Sequence, residues 1–270
     1  MAHITSLFCI ALAGLCAGSL INMVTWRLPR MINAVETPGF SLWLPRSHCP
    51  LCRHTLAWFD NIPLLSWVTL RGHCRYCQCS IALRYPLTEL LSMLLCLALA
   101  FLITPGETLL AAWLLGWMLL ALLLIDAEFQ LLPDLLTLPL LWLGLLFQLC
   151  GWLPQVSLEQ SVAGAVSGYV TLWLLARGYR VLRGTEALGM GDAKLLAALG
   201  AWLGWQPLPL VLLLASGGSI LWLCFSHLVF RRSLSAPLPF GPGLAIAGLL
   251  MFTAANLSAT FRTSSFIFQI

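Results

Sequence analysis

Four cysteines in one polar stretch of the chain have the spacing of a metal site. Cys49 and Cys52 form one C-x2-C pair, Cys74 and Cys77 form a second, and 21 residues lie between the pairs. Two such pairs are typical of tetrahedral Zn(II) held by four thiolates at about 2.3 Å. Because four protein ligands leave no open position for water, we expect this zinc to be structural.

The same stretch allows other ligands and another chemistry. Two disulfides would use the same cysteines, but the stretch is rich in arginine and is expected to face a reducing compartment, where structural disulfides are rare. A segment of roughly 60 residues is too small for a hydrophobic core alone, so metal binding would supply folding free energy. One further cysteine and three histidines are alternative ligands: Cys79, His48, His54 and His73.

Two aspartates stand at the edges of apolar runs. Asp126 closes the run WMLLALLLID, where a carboxylate would face the negative end of the helix dipole and would be poorly solvated. Asp192 follows Gly189 and Gly191 in GMGD and opens the next run, so an N-cap is an equal alternative for it. The two glycines permit unusual backbone conformations and close approach of a substrate chain. Two carboxylates held together share one proton, the state that hydrolyses amides.

Most other acidic residues have simpler explanations. Asp134 follows Pro133 and opens an apolar run, which favours an N-cap. Glu89 is expected in the first turn of the second span, where the helix dipole favours an acid. Solvation or local bonding explains four acids in loops: Glu36, Asp60, Glu107 and Glu159.

These residues must be positioned by helices that cross a membrane. Of the 270 residues, 60% are hydrophobic and only 9% are charged, which excludes an ordinary soluble domain. The chain is therefore predicted to be an all-α polytopic membrane protein, with spans of about 17 to 25 apolar residues. Eight candidate spans lie near residues 4–26, 87–104, 108–125, 135–152, 161–177, 193–206, 208–230 and 243–260. The sixth is short, so seven spans are the alternative.

The basic residues predict the orientation of these spans. Thirteen of the 14 lysines and arginines fall in segments 27–86, 177–194 and 231–232, which eight spans place on one side. The positive-inside bias makes that side cytoplasmic and the N-terminus periplasmic. The start MAHITSLFCI carries no basic residue, so we expect the first span to be retained. Topology also accounts for the net charge of +4, and no nucleic-acid partner is expected.

The resulting organisation has three parts. A first transmembrane helix occupies residues 1–26, a cytoplasmic tetra-cysteine zinc module residues 27–86, and a transmembrane hydrolytic domain residues 87–270.

The motifs also run in the order of a known family. They are GSLINMVTWRLPR at 18–30, the cysteine pairs, WFDNIPLLSWVTLRGHCRYC at 58–77, RYPLTELL at 84–91, LIDAEFQLLPDLLTLP at 124–139, GMGDAKLLAALGAWLG at 189–204 and LPFGPGLAIAG at 238–248. Together they resemble the type IV prepilin peptidases, bacterial membrane aspartic proteases of the GxGD type. The resemblance implies that Asp126 and Asp192 form the catalytic pair.

The resemblance further implies a substrate, a location and a second activity. The substrate would be the basic leader of a prepilin or secretion pseudopilin, cut after a glycine at the cytoplasmic face of the bacterial inner membrane. Because the cysteine-bearing segment accompanies bifunctional members, N-methylation of the new amino terminus from S-adenosylmethionine is also implied. No glycine-rich nucleotide loop identifies the methyl-donor site, although Glu89, which belongs to a family motif, is a candidate for methyl transfer. FGPG at 240–243 is expected to shape the start of the last span.

Two other functions compete with this interpretation. A proton-coupled transporter would use Asp126 and Asp192 as a relay, but these acids are predicted at one membrane face rather than at the midplane. A membrane scaffold would bind a cytoplasmic partner through its zinc module, but it leaves the acid pair unexplained.

Overall fold

The computed structural model describes residues 2–33, 40–184, 189–231 and 238–267. Two residues of the sequence argument, Glu36 and Arg232, lie outside these ranges. The chain divides into two compact units, Met1–Phe101 and Leu102–Ile270. Within the described ranges the regular structure is helical and includes no strand, only two isolated β-bridges. The all-α prediction is therefore confirmed.

The first unit consists of two long helices and a cysteine-bearing segment between them. The long helices approach closely because Gly14 and Gly18 of the first helix are spaced as in G-x-x-x-G, which lets two backbones touch. A Cβ atom at Gly14 would lie 2.7 Å from the Met93 Cα, and one at Gly18 would lie 2.6 Å from the Glu89 Cα. The Ser92 hydroxyl donates a hydrogen bond of 2.7 Å to the Gly14 carbonyl across this contact. The elements of this unit are α1 (Ala2–Ile32), the 3₁₀ turn η1 (Trp58–Asn61), α2 (Leu65–Thr69) and α3 (Arg84–Leu102).

In the described ranges the second unit is a bundle of six helices, of which a short one is central. They are α4 (Glu107–Phe129), α5 (Asp134–Leu149), α6 (Leu158–Arg183), α7 (Met190–Leu203), α8 (Leu208–Phe230) and α9 (Gly241–Ile267). The central helix is α7, which packs against α5, α6 and α9 and buries most of its residues. At its crossing with α6, Gly200 meets Gly164 backbone to backbone. The Trp202 indole N–H donates to the Leu140 carbonyl of α5 at 2.8 Å.

The length of α7 explains why the sixth predicted span was the least regular. The helix has 14 residues, which corresponds to about 21 Å at 1.5 Å per residue. The hydrocarbon layer of a bilayer is about 30 Å thick. Because α7 is surrounded by other helices, its apolar residues are required by packing inside the unit and do not by themselves indicate contact with lipid.

Each of the eight predicted spans coincides with one long helix of the described ranges. These helices differ in length and in hydropathy, and therefore in their ability to cross a membrane. Four are long and apolar enough to do so: Thr5–Ile32, Arg84–Leu102, Glu107–Phe129 and Leu208–Val229. Two more are apolar but shorter: Asp134–Leu149 and Gly241–Leu257. Large apolar side chains such as Leu221 and Leu228 are exposed on α8, as expected for a surface that faces lipid. The number of spans stays a prediction.

Candidate functional site

Asp126 lies in the last turn of α4 and is held by the first residue of α9. Its carboxyl is buried, and the Gly241 backbone N–H donates to Oδ2 at 2.9 Å. This N–H is one of the four at a helix start that have no partner within the helix. A Cβ atom at position 241 would lie 2.6 Å from Oδ2, so only glycine permits this contact. FGPG therefore shapes the start of the last helix, as expected, and also places a donor on Asp126.

Asp192 is the third residue of α7 and not its N-cap. The N-cap is Gly189, and it has no side-chain capping bond, so the capping alternative for Asp192 was wrong. Instead the Asp192 carboxyl interacts with the backbone N–H of Gly189, which is the position of the acidic residue in a capping box. The side chain is buried. The Asp192 carboxyl thus binds a backbone N–H at the start of its own helix and is also shielded from solvent.

The two glycines of GMGD serve packing rather than an unusual backbone. Gly189 has φ −72° and ψ 142°, and Gly191 is not among the residues with positive φ, so the expected special conformations were wrong. A Cβ atom at Gly191 would lie 2.8 Å from the Leu132 Cβ. Glycine is therefore required there for contact with the segment between α4 and α5. Close approach of a substrate chain at these glycines stays a prediction.

The fold of the second unit brings the two aspartates together. The negative charge of Asp126 acts on the Asp192 carboxyl, although 65 residues separate them in the sequence. Both carboxyls are buried, and each meets a backbone N–H at the start of a helix, Gly241 of α9 for Asp126 and Gly189 of α7 for Asp192. The positive ends of two helix dipoles therefore face a pair that can carry one negative charge and one proton.

A third acid near this pair has a structural partner. Asp134 was expected to cap α5, but the N-cap is Pro133 without a side-chain capping bond, so that prediction was wrong. The Lys194 ammonium group instead donates to both Asp134 carboxylate oxygens, at 2.6 and 2.8 Å. This ion pair joins α5 to α7 two residues beyond Asp192.

The four predicted cysteine ligands form one cluster in the first unit. The sulfur atoms of Cys49, Cys52, Cys74 and Cys77 all lie within 4.8 Å of one another, a set that could hold a metal ion. None of the ten cysteines, all of which lie in the described ranges, is joined in a disulfide, which does not support the disulfide alternative.

Two similar turns position these cysteines. Isolated β-bridges join His48 to Thr55 and His73 to Ser80, seven residues apart in each case. The residue after each second cysteine has a left-handed backbone, with φ 56° at Arg53 and 57° at Gln78. Its N–H donates to the carbonyl of the first cysteine, at 2.9 Å for Arg53 and 3.0 Å for Gln78. Each C-x2-C pair is thus presented by the same local structure.

The alternative ligands are engaged elsewhere or lie beside the cluster. The Nδ1 atoms of His48 and His73 each hydrogen-bond to a backbone carbonyl. Cys79 Sγ lies 3.5 Å from Cys49 Sγ. Hydrogen bonds with Cys77 and Cys49 raise the pKa of Cys79 to about 12, so this thiol retains its proton. Burial alone would raise the pKa of Cys49, but hydrogen bonds from the Cys52 and Leu51 backbone, Cys79 and Cys52 lower it to about 6.

Glu89 and Asp60 are buried in the same unit. Because α3 begins at Arg84, Glu89 lies in the second turn, and the expected first-turn role was wrong. Its Oε2 accepts a 2.8 Å hydrogen bond from the N–H of Leu64, a residue with φ 57°. Asp60 was expected to be solvated or locally bonded, and its Oδ1 accepts from Arg75 Nε at 2.8 Å.

Comparison with known proteins decides the family. Residues 12–103 match the Bacterial Peptidase A24 N-terminal domain, and residues 113–224 match the Type IV leader peptidase family. A protein of Aeromonas hydrophila named prepilin leader peptidase/N-methyltransferase is 49% identical, over 88% of this chain and 87% of its own length. A protein of Dickeya chrysanthemi with the same name is 47% identical, over 90% of this chain and 91% of its own length. The chain belongs to the type IV leader peptidase family.

The family matches cover the two clusters separately. The N-terminal match contains the four cysteines and Glu89, and the second match contains Asp126 and Asp192. Gly241, which contacts Asp126, lies beyond the second match and was not singled out from the sequence as a partner of that acid. The signal that could have found it is the glycine at the start of an apolar helix in FGPG. No solved structure matches the chain.

Proposed function

We propose that this chain is a membrane aspartic endopeptidase in which Asp126 and Asp192 cut the basic leader of a type IV prepilin or secretion pseudopilin. Cleavage follows a glycine on the cytoplasmic side of the inner membrane, and the N-terminus of the chain is periplasmic. The observation that carries this proposal is a pair of buried carboxyls from two helices, close enough to interact electrostatically. The names of the relatives support the substrate class.

The pair acts as one unit that holds a single proton. Its ionised carboxyl takes a proton from water as the oxygen attacks the scissile amide, and its protonated carboxyl gives its proton to the carbonyl oxygen. The carboxyl that took the proton from water then passes it to the leaving amine as the C–N bond breaks, and the other carboxyl recovers its proton from a hydroxyl of the tetrahedral intermediate. The N–H groups of Gly241 and Gly189 stabilise the negative charge and hold the oxygens in place. Low solvent access strengthens these interactions, because the local dielectric constant is lower than that of water.

The first unit supports a second activity and a metal. Four sulfur atoms in a compact set fit Zn(II), which Cys49, Cys52, Cys74 and Cys77 would hold without an open position. Zinc would then join two turns that have little other regular structure, and Cys79, which retains its proton, would donate a hydrogen bond to Cys49 without becoming a fifth ligand. The second activity is N-methylation of the new amino terminus from S-adenosylmethionine, as the names of the relatives suggest.

The proposal is tested by cleavage of a leader-containing prepilin by purified full-length protein in detergent. Replacing Asp126 or Asp192 by Asn removes the shared proton, and we expect cleavage to fall by at least about 1000-fold. The matched control is Glu107→Gln, which changes an exposed acid at the opposite end of α4. Cleavage that persists in both aspartate variants would refute the peptidase proposal.

The transporter alternative makes a different prediction for the same acids. Its relay would place them within a path across the unit, whereas Asp126 is in the last turn of α4 and Asp192 in the first turn of α7. Proton-coupled uptake into vesicles that is lost in Asp126→Asn, together with absence of cleavage in the unchanged protein, would favour the transporter.

A further inference from the structure

The first unit contains a cavity that neither the acid pair nor the metal cluster explains. Its volume is about 400 Å³, and its lining residues all lie between Ser19 and Glu89, within one compact unit. Cavities of about 300 to 1000 Å³ are typical of sites for small molecules of drug or cofactor size. The aspartates of the second unit do not line it. The cavity is therefore a candidate site of its own.

Several side-chain oxygens of the cavity lining are hydrogen-bond acceptors, which favours a ligand with hydrogen-bond donors. Glu89 receives the N–H of Leu64 and the hydroxyl of Ser19, which uses two of the roughly four acceptor positions of a carboxylate. Two other lining residues each have a buried oxygen without a partner in the described part of the chain, Oδ1 of Asn22 and Oδ2 of Asp60. Buried acceptors of this kind are uncommon in folded proteins, and each requires an explanation.

The partners of these two residues show that their orientation is fixed. The Asn22 amide nitrogen donates to the Tyr85 carbonyl at 2.9 Å. Oδ1 of Asp60 accepts from Arg75 at 2.8 Å. Each side chain is thus held at one polar atom, while its remaining oxygen is buried without a partner in the described part of the chain.

The lining also contains a cation and aromatic rings. The Arg27 guanidinium group is buried and donates to the carbonyls of Ser41, Leu42 and Pro45. Because carbonyl groups are neutral, the guanidinium group keeps its positive charge, which favours a ligand with a carboxylate. The rings of Trp26, Trp67 and Tyr85 line the same cavity and offer faces for a purine or for a cation.

The metal cluster forms part of the wall. Cys49, Cys74 and Cys79 line the cavity, and they belong to both cysteine turns or lie directly beside them. A metal ion that joins the two turns would therefore also fix the shape of the cavity. A structural zinc ion at this cluster would therefore influence ligand binding without taking part in the chemistry.

We propose that this cavity binds S-adenosylmethionine, with Glu89 facing its positive charge, Arg27 its carboxylate, and Trp26, Trp67 or Tyr85 its adenine ring. This inference rests on the methylation part of the proposed function and assigns that activity a site. When bound, the donor supplies a methyl group: the new N–C bond forms at the substrate amine, the C–S bond breaks with its electron pair on sulfur to leave S-adenosylhomocysteine, and the amine nitrogen releases one proton to water. The residues of the chain bind and orient the donor.

The ligand class follows from the mixture of groups. A zwitterion with an additional cationic centre and a planar base requires acceptors, a cation and aromatic faces in one enclosure, all of which the lining provides. A phospholipid headgroup would use the acceptors and the cation but would leave the three aromatic rings without a matching group. Binding of lipid at the expense of the methyl donor is thus an outcome of the test.

The test measures donor binding directly and does not depend on activity. Full-length protein in nanodiscs of phosphatidylethanolamine and phosphatidylglycerol is titrated with labelled S-adenosylmethionine, and S-adenosylhomocysteine is the competitor. Glu89→Gln preserves size but removes the charge, so we expect affinity to fall by at least about tenfold. Leu56→Trp adds bulk to a lining residue, and we expect it to abolish measurable binding.

Matched controls separate binding from folding. Leu83→Trp makes the same substitution at an exposed position of the same segment that does not line the cavity, and Glu107→Gln makes the same charge change in the other unit. Both should bind the donor as the unchanged protein does. Zinc content and melting temperature are measured for every variant, and ultraviolet cross-linking of the labelled donor with peptide mapping gives a result that needs no variant. Label is expected within residues 19–89.

The outcomes distinguish the two claims. If the unchanged protein methylates a cleaved prepilin but Glu89→Gln and Leu56→Trp bind the donor normally, or if the label maps to residues 102–270, the cavity assignment is wrong and methylation stands. If the unchanged protein neither binds the donor nor methylates, methylation itself is wrong and the cavity assignment fails with it. Binding of lipid in the cavity, with no donor binding, also overturns the assignment.

Discussion

In the first unit the cysteines lie on a segment where residues 40–83 contain only a 3₁₀ turn and a five-residue helix, whereas in the second unit both aspartates lie on helices of 14 or more residues. The thiols are held by paired turns and by side-chain hydrogen bonds. The Asp126 carboxyl is held by the N–H of Gly241, and Asp192 lies on a helix whose Gly200 meets the Gly164 backbone. Removal of the metal should therefore affect the first unit, whereas loss of helix packing should affect the second.

The largest effect is expected at the crossing of α6 and α7. Gly200→Val places a side chain where the Gly164 backbone already lies. We expect unfolding free energy to fall by at least about 3 kcal/mol through overpacking, measured as a large decrease in melting temperature with loss of cleavage. Gly218→Val in α8 is the control, because nothing lies within 4 Å of its added Cβ. A normal melting temperature for Gly200→Val would show that this crossing does not position Asp192.

Removal of the metal should affect the two units differently. A strong zinc chelator releases the ion from Cys49, Cys52, Cys74 and Cys77, and we expect proteolysis of the segment to increase and donor binding to fall by more than about tenfold. Cleavage of the leader should change by less than about threefold, because the acid pair is held by helix packing in the second unit. Titration with labelled donor and mass spectrometry of the cleaved leader measure the two effects. An equal loss of donor binding and of cleavage would contradict this difference between the units.

Gly241→Ala tests how the Asp126 carboxyl is positioned within the second unit. The added Cβ would lie 2.6 Å from the Asp126 Oδ2, so the carboxyl must move. We expect kcat for cleavage to fall by about 10- to 100-fold with little change in KM, because a small displacement of a reacting group is costly. Gly217→Ala, which meets nothing within 4 Å, should retain full kcat. A decrease in both variants alike would point to a general effect on helix stability.

The smallest effect is expected from the ion pair between α5 and α7. Both partners are partly exposed, with side-chain exposure of 29% for Lys194 and 56% for Asp134. We expect Asp134→Asn to reduce stability by less than about 1 kcal/mol, as is usual for such pairs. A double-mutant cycle with Lys194→Met measures the coupling. A coupling energy well above this value would mean that the ion pair, and not packing alone, holds α7 in place.

Several parts of the candidate site could be predicted because their chemistry is local. The spacing of Cys49, Cys52, Cys74 and Cys77 indicated a metal cluster, and their sulfur atoms do lie together. Asp126 and Asp192 were conspicuous because a carboxylate is costly beside apolar runs. The predictions for Asp134 and Glu89 failed because they depended on helix starts, which moved by a few residues relative to the apolar pattern.

Composition and short-range spacing are properties of the chain, and they were sufficient to predict a helical membrane protein with a four-cysteine cluster and two unexplained aspartates. The folded structure was needed to find that Gly241 donates to Asp126, that Lys194 pairs with Asp134, and that Asn22, Asp60 and Glu89 line one cavity. Each of these depends on contacts between residues far apart in sequence, and packing fixes such contacts through shape and close backbone approach, which no local pattern encodes.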